Sequence, residues 1–101
     1  MKSKFIEIDL QADNKKEIVL NQNIPNPFTN NTKIDYTINS SGTVSFELKS
    51  SNGEVVFKKD EGNRSAGTYS IDINGSNLNS GVYIYSIYLN GNVISKKALK
   101  I

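Results

Sequence analysis

Carboxylates are the first residues to weigh for chemistry, because two acids flanking a bond can act as general acid and base and hydrolyse a glycoside. Glu7 and Asp9 alternate on one candidate strand face, and Asp60 and Glu61 are adjacent in a candidate turn. Both pairs are expected to solvate a surface, the usual place of acids. Asp13, Glu17, Asp35, Glu47, Glu54 and Asp72 are scattered without the spacing of a calcium loop, so no metal is assigned. The chain has no histidine and no cysteine. Thiolate and imidazole metal sites, Ser-His-Asp and Cys-His catalytic units, haem ligation and disulfides are thereby excluded. The expectation is a non-enzymatic protein with no catalytic residues and no cofactor.

Tyrosines offer a different chemistry, since exposed rings on a β-sandwich stack on sugars or bases. Tyr83, Tyr85 and Tyr88 straddle both faces of one candidate strand instead of lining a single platform. Core packing with hydroxyls at the rim is favoured, and carbohydrate binding stays open. The 7 glycines are dispersed and no helix follows them, so there is no phosphate cradle. Gly67-Thr68-Tyr69 and Gly81-Val82-Tyr83 each read as a turn glycine at the start of a strand. Both prolines fall in Asn21-Gln22-Asn23-Ile24-Pro25-Asn26-Pro27-Phe28. Each restricts its own φ and biases the preceding residue toward extended geometry. The stretch is therefore stiff and sheet-free, with Phe28 either stapled over the end of the fold or used in recognition.

These residues must be positioned by a single domain, given 101 residues and a prior of roughly 100–200 residues per domain. Hydrophobic residues are 37% of the chain, enough for a modest core. Lysines and arginines (12) nearly balance acids (10), for a net charge of +2; no nucleic-acid partner is indicated. No run approaches the roughly 20 apolar residues of a membrane span, so no membrane insertion is expected. The start Met1-Lys2-Ser3-Lys4-Phe5 lacks the apolar region of a signal peptide.

Alternation with period two marks strands at Ile34-Asp35-Tyr36-Thr37-Ile38, at Val44-Ser45-Phe46-Glu47-Leu48 and at Tyr69, Ile71 and Ile73, the last ended by Asn74-Gly75-Ser76. Asn52-Gly53 predicts a type I′ hairpin turn into Val55-Val56-Phe57, and Asn90-Gly91 another into Val93-Ile94-Ser95 and onward to Leu99 and Ile101. Gly81 to Leu89 is apolar on nearly both faces and predicts a central strand covered on each side. Phe5, Ile6, Ile8 and Leu10 form a weaker candidate strand. The reading is an all-β, immunoglobulin-like antiparallel β-sandwich of about seven strands over residues 18–101, with residues 1–17 an approach segment or linker.

Several features recur in order: Leu20-Asn21-Gln22-Asn23-Ile24-Pro25-Asn26-Pro27-Phe28, Thr32-Lys33-Ile34-Asp35-Tyr36, Asn52-Gly53-Glu54-Val55-Val56, Ser65-Ala66-Gly67-Thr68-Tyr69, Leu78-Asn79-Ser80-Gly81-Val82-Tyr83-Ile84-Tyr85 and Lys96-Lys97. The ordered set resembles the type A C-terminal sorting domain of the type IX secretion system over about residues 18 to 101. The resemblance implies a small immunoglobulin-type sandwich at the C-terminus of a cargo protein in Bacteroidetes-type bacteria. It implies export of that cargo from the periplasm across the outer membrane to the cell surface or medium. The implied partners are the outer-membrane type IX machinery, a sortase-like protease that removes the domain, and an N-terminal cargo domain. Residue by residue, the family's proline motif falls on Pro25, Asn26, Pro27 and Phe28. Its glycine-x-tyrosine element falls on Gly81 and Tyr83, with Gly67 and Tyr69 a second match, and its basic terminal strand on Lys96 and Lys97. With no cargo or secretory signal in the sequence, the chain is expected to be a fragment, its processing site N-terminal to the sandwich.

A terminal strand carrying Lys96, Lys97 and Lys100 is expected to offer unpaired backbone groups and positive charge, either to block aggregation or to dock a partner by strand addition. The favoured function is sorting and docking. An adhesion or carbohydrate-binding sandwich is the alternative, and a structural spacer the third reading.

Overall fold

The computed structural model describes residues 17–101, and every regular element among them is a strand. In chain order these are β1 (Ile18–Leu20), β2 (Asn31–Ile38), β3 (Gly42–Ser50), β4 (Val55–Arg64), β5 (Gly67–Asn74), β6 (Gly81–Leu89) and β7 (Asn92–Lys100). Period-two patterning decides which side chains go inward. In β2, Thr32, Ile34, Tyr36 and Ile38 are buried while Lys33 is exposed and Asp35 and Thr37 are half-buried. In β3, Val44, Phe46 and Leu48 are buried.

The seven described strands pair antiparallel with one another, in one sheet of order β1-β2-β5 and a second of order β4-β3-β6-β7. Ile18, Leu20, Ile34, Tyr36, Ile38, Ile71 and Ile73 of the first sheet share one core with Val44, Phe46, Leu48, Tyr83, Tyr85, Ile87, Leu89 and Ala98 of the second. This is the expected immunoglobulin-like sandwich. The candidate strand at Phe5, Ile6, Ile8 and Leu10, the pair Glu7 and Asp9, and Asp13 lie outside the described residues.

The two Asn-Gly turns differ. Asn90 (φ 49°) and Gly91 (φ 85°) both occupy the left-handed region, and Leu89 pairs with Asn92 across the two-residue turn, as predicted. At Asn52-Gly53 only the glycine has positive φ (91°), so the type I′ expectation is corrected. The Asn52 side chain accepts the Glu54 N–H at 3.2 Å and draws the chain into a longer loop, closed by Ser50 N–H on the Glu54 carbonyl at 2.8 Å.

Two further expectations change. β6 is internal in its sheet but covered on one face only: Val82 and Tyr88 are exposed and Ile84 is half-buried, and Tyr88 donates to Glu47 at 3.0 Å. Tyr83 and Tyr85 enter the core instead, so the three tyrosines straddle the sheet and form no shared platform. Asp60 and Glu61 are not a surface turn, because β4 runs through them to Arg64. The register shifts between Val44 and Ser45, leaving Glu61 the extra residue of a β-bulge. Its buried carboxylate accepts the Tyr36 hydroxyl at 2.6 Å and meets Lys59 at 3.4 Å and Arg64 at 3.9 Å. A buried acid is tolerated when it is hydrogen-bonded and paired in this way. Arg64 in turn lies 5.2 Å over the Tyr69 ring, itself 5.6 Å from Tyr36.

Burial, reinforced by the Glu61 carboxylate, holds the Tyr36 hydroxyl far above its ordinary value, and burial raises Tyr85 as well. The fold favours the neutral phenols, so their contribution is whole below the free tyrosine value of about 10 and is lost as the pH climbs past it. Urea titrations followed by circular dichroism should show the midpoint falling above a pH of about 10, and falling less steeply in Tyr36→Phe.

Candidate recognition site

Pro25 and Pro27 carry no N–H, and both follow cis peptide bonds. The chain around them is satisfied by side chains that the two sheets supply. Asn23, 1% exposed, is the pin. Its N–H donates to the Tyr85 hydroxyl at 3.0 Å, and its Nδ2 donates to the Pro25 carbonyl and to Thr32 Oγ1, each at 3.0 Å. Thr32 donates to the same Pro25 carbonyl at 2.9 Å, and the Tyr85 hydroxyl donates to the Asn21 carbonyl at 2.8 Å. Ile24 and Lys33 exchange two backbone bonds of 2.9 Å. The sheet-free expectation is therefore corrected at both ends: Ile24 bridges β2, and Phe28 bridges Lys100 of β7 in parallel.

On its other side the proline segment closes part of the β7 edge. Phe28 N–H donates to the Leu99 carbonyl and Ile101 N–H to the Phe28 carbonyl, both at 2.9 Å. Leu99 N–H donates to Asn26 Oδ1 at 2.9 Å, and Gln22 Nε2 donates to the Lys97 carbonyl at 2.7 Å. The Phe28 ring is buried (1% exposed), the stapled position. It packs so tightly on Gly75 that a Cβ there would come within 2.5 Å of the ring and 2.9 Å of the Asn30 carbonyl. Pro25, Asn26 and Pro27 remain exposed, beside Ile24 at 72%.

Gly67 (φ 157°) and Gly81 (φ 149°) start β5 and β6, as expected of turn glycines. Each serves the same device. The Tyr69 hydroxyl donates to the Ser65 carbonyl at 2.7 Å, and the Tyr83 hydroxyl to the Asn79 carbonyl at 2.6 Å, each four residues back. Such a back-bond ties a loop to the strand it enters, as the tyrosine corner does in immunoglobulin sandwiches. Gly81 pairs with Lys100, close to Phe28, whereas Gly67 pairs with Ile38 at the opposite end. The proline segment, Gly81, Tyr83 and the terminal strand are thus brought together, and Gly67 and Tyr69 are not.

Neighbouring strand residues face opposite ways. Lys97 is exposed, while Lys96, opposite the buried Tyr85, is half-buried on the inner face. Lys100 is buried too, its Nζ donating to the Ile101 carbonyl at 3.2 Å. The three lysines therefore do not make one basic patch, and the edge from the Lys97 carbonyl to Ile101 is not unpaired. Asn23, Gln22, Thr32, Tyr85 and Gly75 were absent from the sequence-predicted site. The available signals were the asparagine two places before Pro25 and the glycine ending β5.

A family model described as a secretion system C-terminal sorting domain matches residues 23–100. No curated protein matches the chain.

Replacing the pin or crowding the ring should loosen the assembly. Asn23→Ala removes the buried amide that donates to the Pro25 carbonyl and to Thr32 Oγ1, a loss of about 1–3 kcal/mol. Gly75→Ala overpacks Phe28 at a similar cost of about 1–3 kcal/mol. Thermal melts should show both variants below the parent, with Gly53→Asn, at an open turn, nearer to it.

Proposed function

The chain belongs to the secretion system C-terminal sorting domain family, and from that premise we propose that it is a folded, non-enzymatic address label read by the outer-membrane type IX machinery. Membership carries the coarse function, a C-terminal signal for export to the cell surface or medium. The finer reading assigns residues 18–101 to the label and residues 1–17 to the link with an N-terminal cargo domain. The cargo passes through the periplasm, and a sortase-like protease cuts in the segment before the sandwich.

The observation that supports this reading is the seam between the proline segment and β7. Groups from Gln22 to Phe28 hydrogen-bond groups from Lys97 to Ile101, so two motifs far apart in sequence form one surface. Pro25, Asn26, Pro27 and Lys97 present it to solvent. Phe28, Tyr83, Gly81 and Lys96 hold it from beneath or beside, and Gly67 and Tyr69 act at a distance by fixing the other end of the sandwich. Recognition is then of shape and backbone, read after folding.

Residues 18–101 fused behind a folded reporter with an N-terminal signal should reach the surface or medium only in a host possessing the machinery. Removing residues 96–101 should abolish export, since Ala98 and the partners of Phe28 go with them. Gly81→Ala should reduce it, because the penalty there is backbone conformation and a Cβ meets nothing within 4 Å. Equal delivery with and without the machinery overturns the reading. Circular dichroism of each purified variant separates lost recognition from lost fold.

A further inference from the structure

β7 has two edges, and its hairpin fixes which groups point to each. Leu89 faces Asn92 across the two-residue turn, so Asn92, Ile94, Lys96, Ala98 and Lys100 direct their backbone groups to β6. Val93, Ser95, Lys97, Leu99 and Ile101 direct theirs the other way. The lower half of that second edge is filled by Gln22, Asn26 and Phe28. The upper half is not: among the described residues, the N–H and C=O of Val93 and Ser95 and the N–H of Lys97 have no partner. There is room beside it, in a groove of about 310 Å³ lined by Glu17, Ile18, Asn92, Val93 and Ile94. Val93 is 54% exposed, and Ser95 and Lys97 are exposed.

We propose that residues 93–97 form a strand-addition site that receives an extended segment of a partner protein, continuing the line Phe28 begins alongside Lys100. The inference deepens the sorting reading and rests on it. Outward N–H and C=O groups on alternate residues are matched by another extended backbone, whose own groups repeat at the same spacing. Phe28 already makes this kind of contact as a parallel bridge one step further along. The Lys97 ammonium has no carboxylate within ion-pair distance among the described residues. The incoming strand therefore carries an acidic side chain there, and an apolar one beside Val93 and Tyr88 on the same outer face.

Proline substitution isolates the backbone. Ser95→Pro deletes one outward N–H and none of the bonds to β6, and an edge position of this kind tolerates proline. Ser95→Ala keeps the N–H while losing the hydroxyl that pairs with Ser86 at 2.7 Å, and serves as control. Val93→Pro is the second test of the same edge. With the full chain carried behind the signal-bearing reporter, Ser95→Ala, which alters the side chain and spares the outward N–H, is the reference for Ser95→Pro. The two proline variants, shown to be folded by circular dichroism and thermal melting, should export at least tenfold less. In the isolated chain, hydrogen exchange should be fast at Val93, Ser95 and Lys97 and slow at Ile94, Lys96 and Ala98. Folded proline variants exported at the parent level overturn the proposal. So does protection of the three outward amides in the isolated chain, whether it is independent of concentration or appears with dimers. A parent chain that is itself not exported defeats the sorting reading instead.

Discussion

The fold around its candidate site depends on one constraint: a segment with two prolines must cross the open side of a sandwich without the N–H groups that would pair it into a sheet. Asn23 meets that constraint. A single buried amide binds the Pro25 carbonyl and Thr32, while its backbone N–H rests on the Tyr85 hydroxyl. Because Thr32 belongs to the first sheet and Tyr85 to the second, the pin also ties the two layers together. Phe28 and Gly75 form the matching contact in the core, an aromatic ring laid where only a hydrogen fits. Buried polar networks of this kind strengthen the fold when every member has a partner and weaken it when one is missing.

The opposite end is organised by different means. There a bulge in β4 swings Glu61 inward against Tyr36, with Lys59 and Arg64 supplying positive charge and Tyr69 backing the guanidinium. This cluster joins β2, β4 and β5 across the sandwich. Both ends thus use a tyrosine hydroxyl to satisfy something buried, and both use a glycine-x-tyrosine step to tie down the loop entering a strand. Gly67 and Tyr69 thus match Gly81 and Tyr83 in local form while the strand register places them far from the proline segment.

Features set by neighbours in the chain were legible beforehand. Ile34, Tyr36 and Ile38 announce their strand by alternation, Asn90-Gly91 announces its turn, and Phe28 stands out as the aromatic beside two prolines. Features set by distant partners were not. Nothing local distinguishes Asp60 from Glu61, yet a register shift against β3 exposes one and buries the other. Lys96 and Lys97 read as a basic pair until the pleat sends them to opposite faces. Asn23 is one of many asparagines, and its role comes from the Tyr85 hydroxyl, Thr32 and the Pro25 carbonyl that surround it. The β7 edge looked vacant because the chain that fills half of it lies more than seventy residues earlier.

That separation has a consequence for when the surface comes into being. Gln22 and Lys97 are 75 residues apart, Asn26 and Leu99 are 73, and Asn23 and Tyr85 are 62. Contacts at such range form late, after the intervening loops have closed. The seam therefore exists only when the chain from Gln22 to Ile101 is intact and the sandwich has closed. The seam is in this sense a record that the two ends of the sandwich have met.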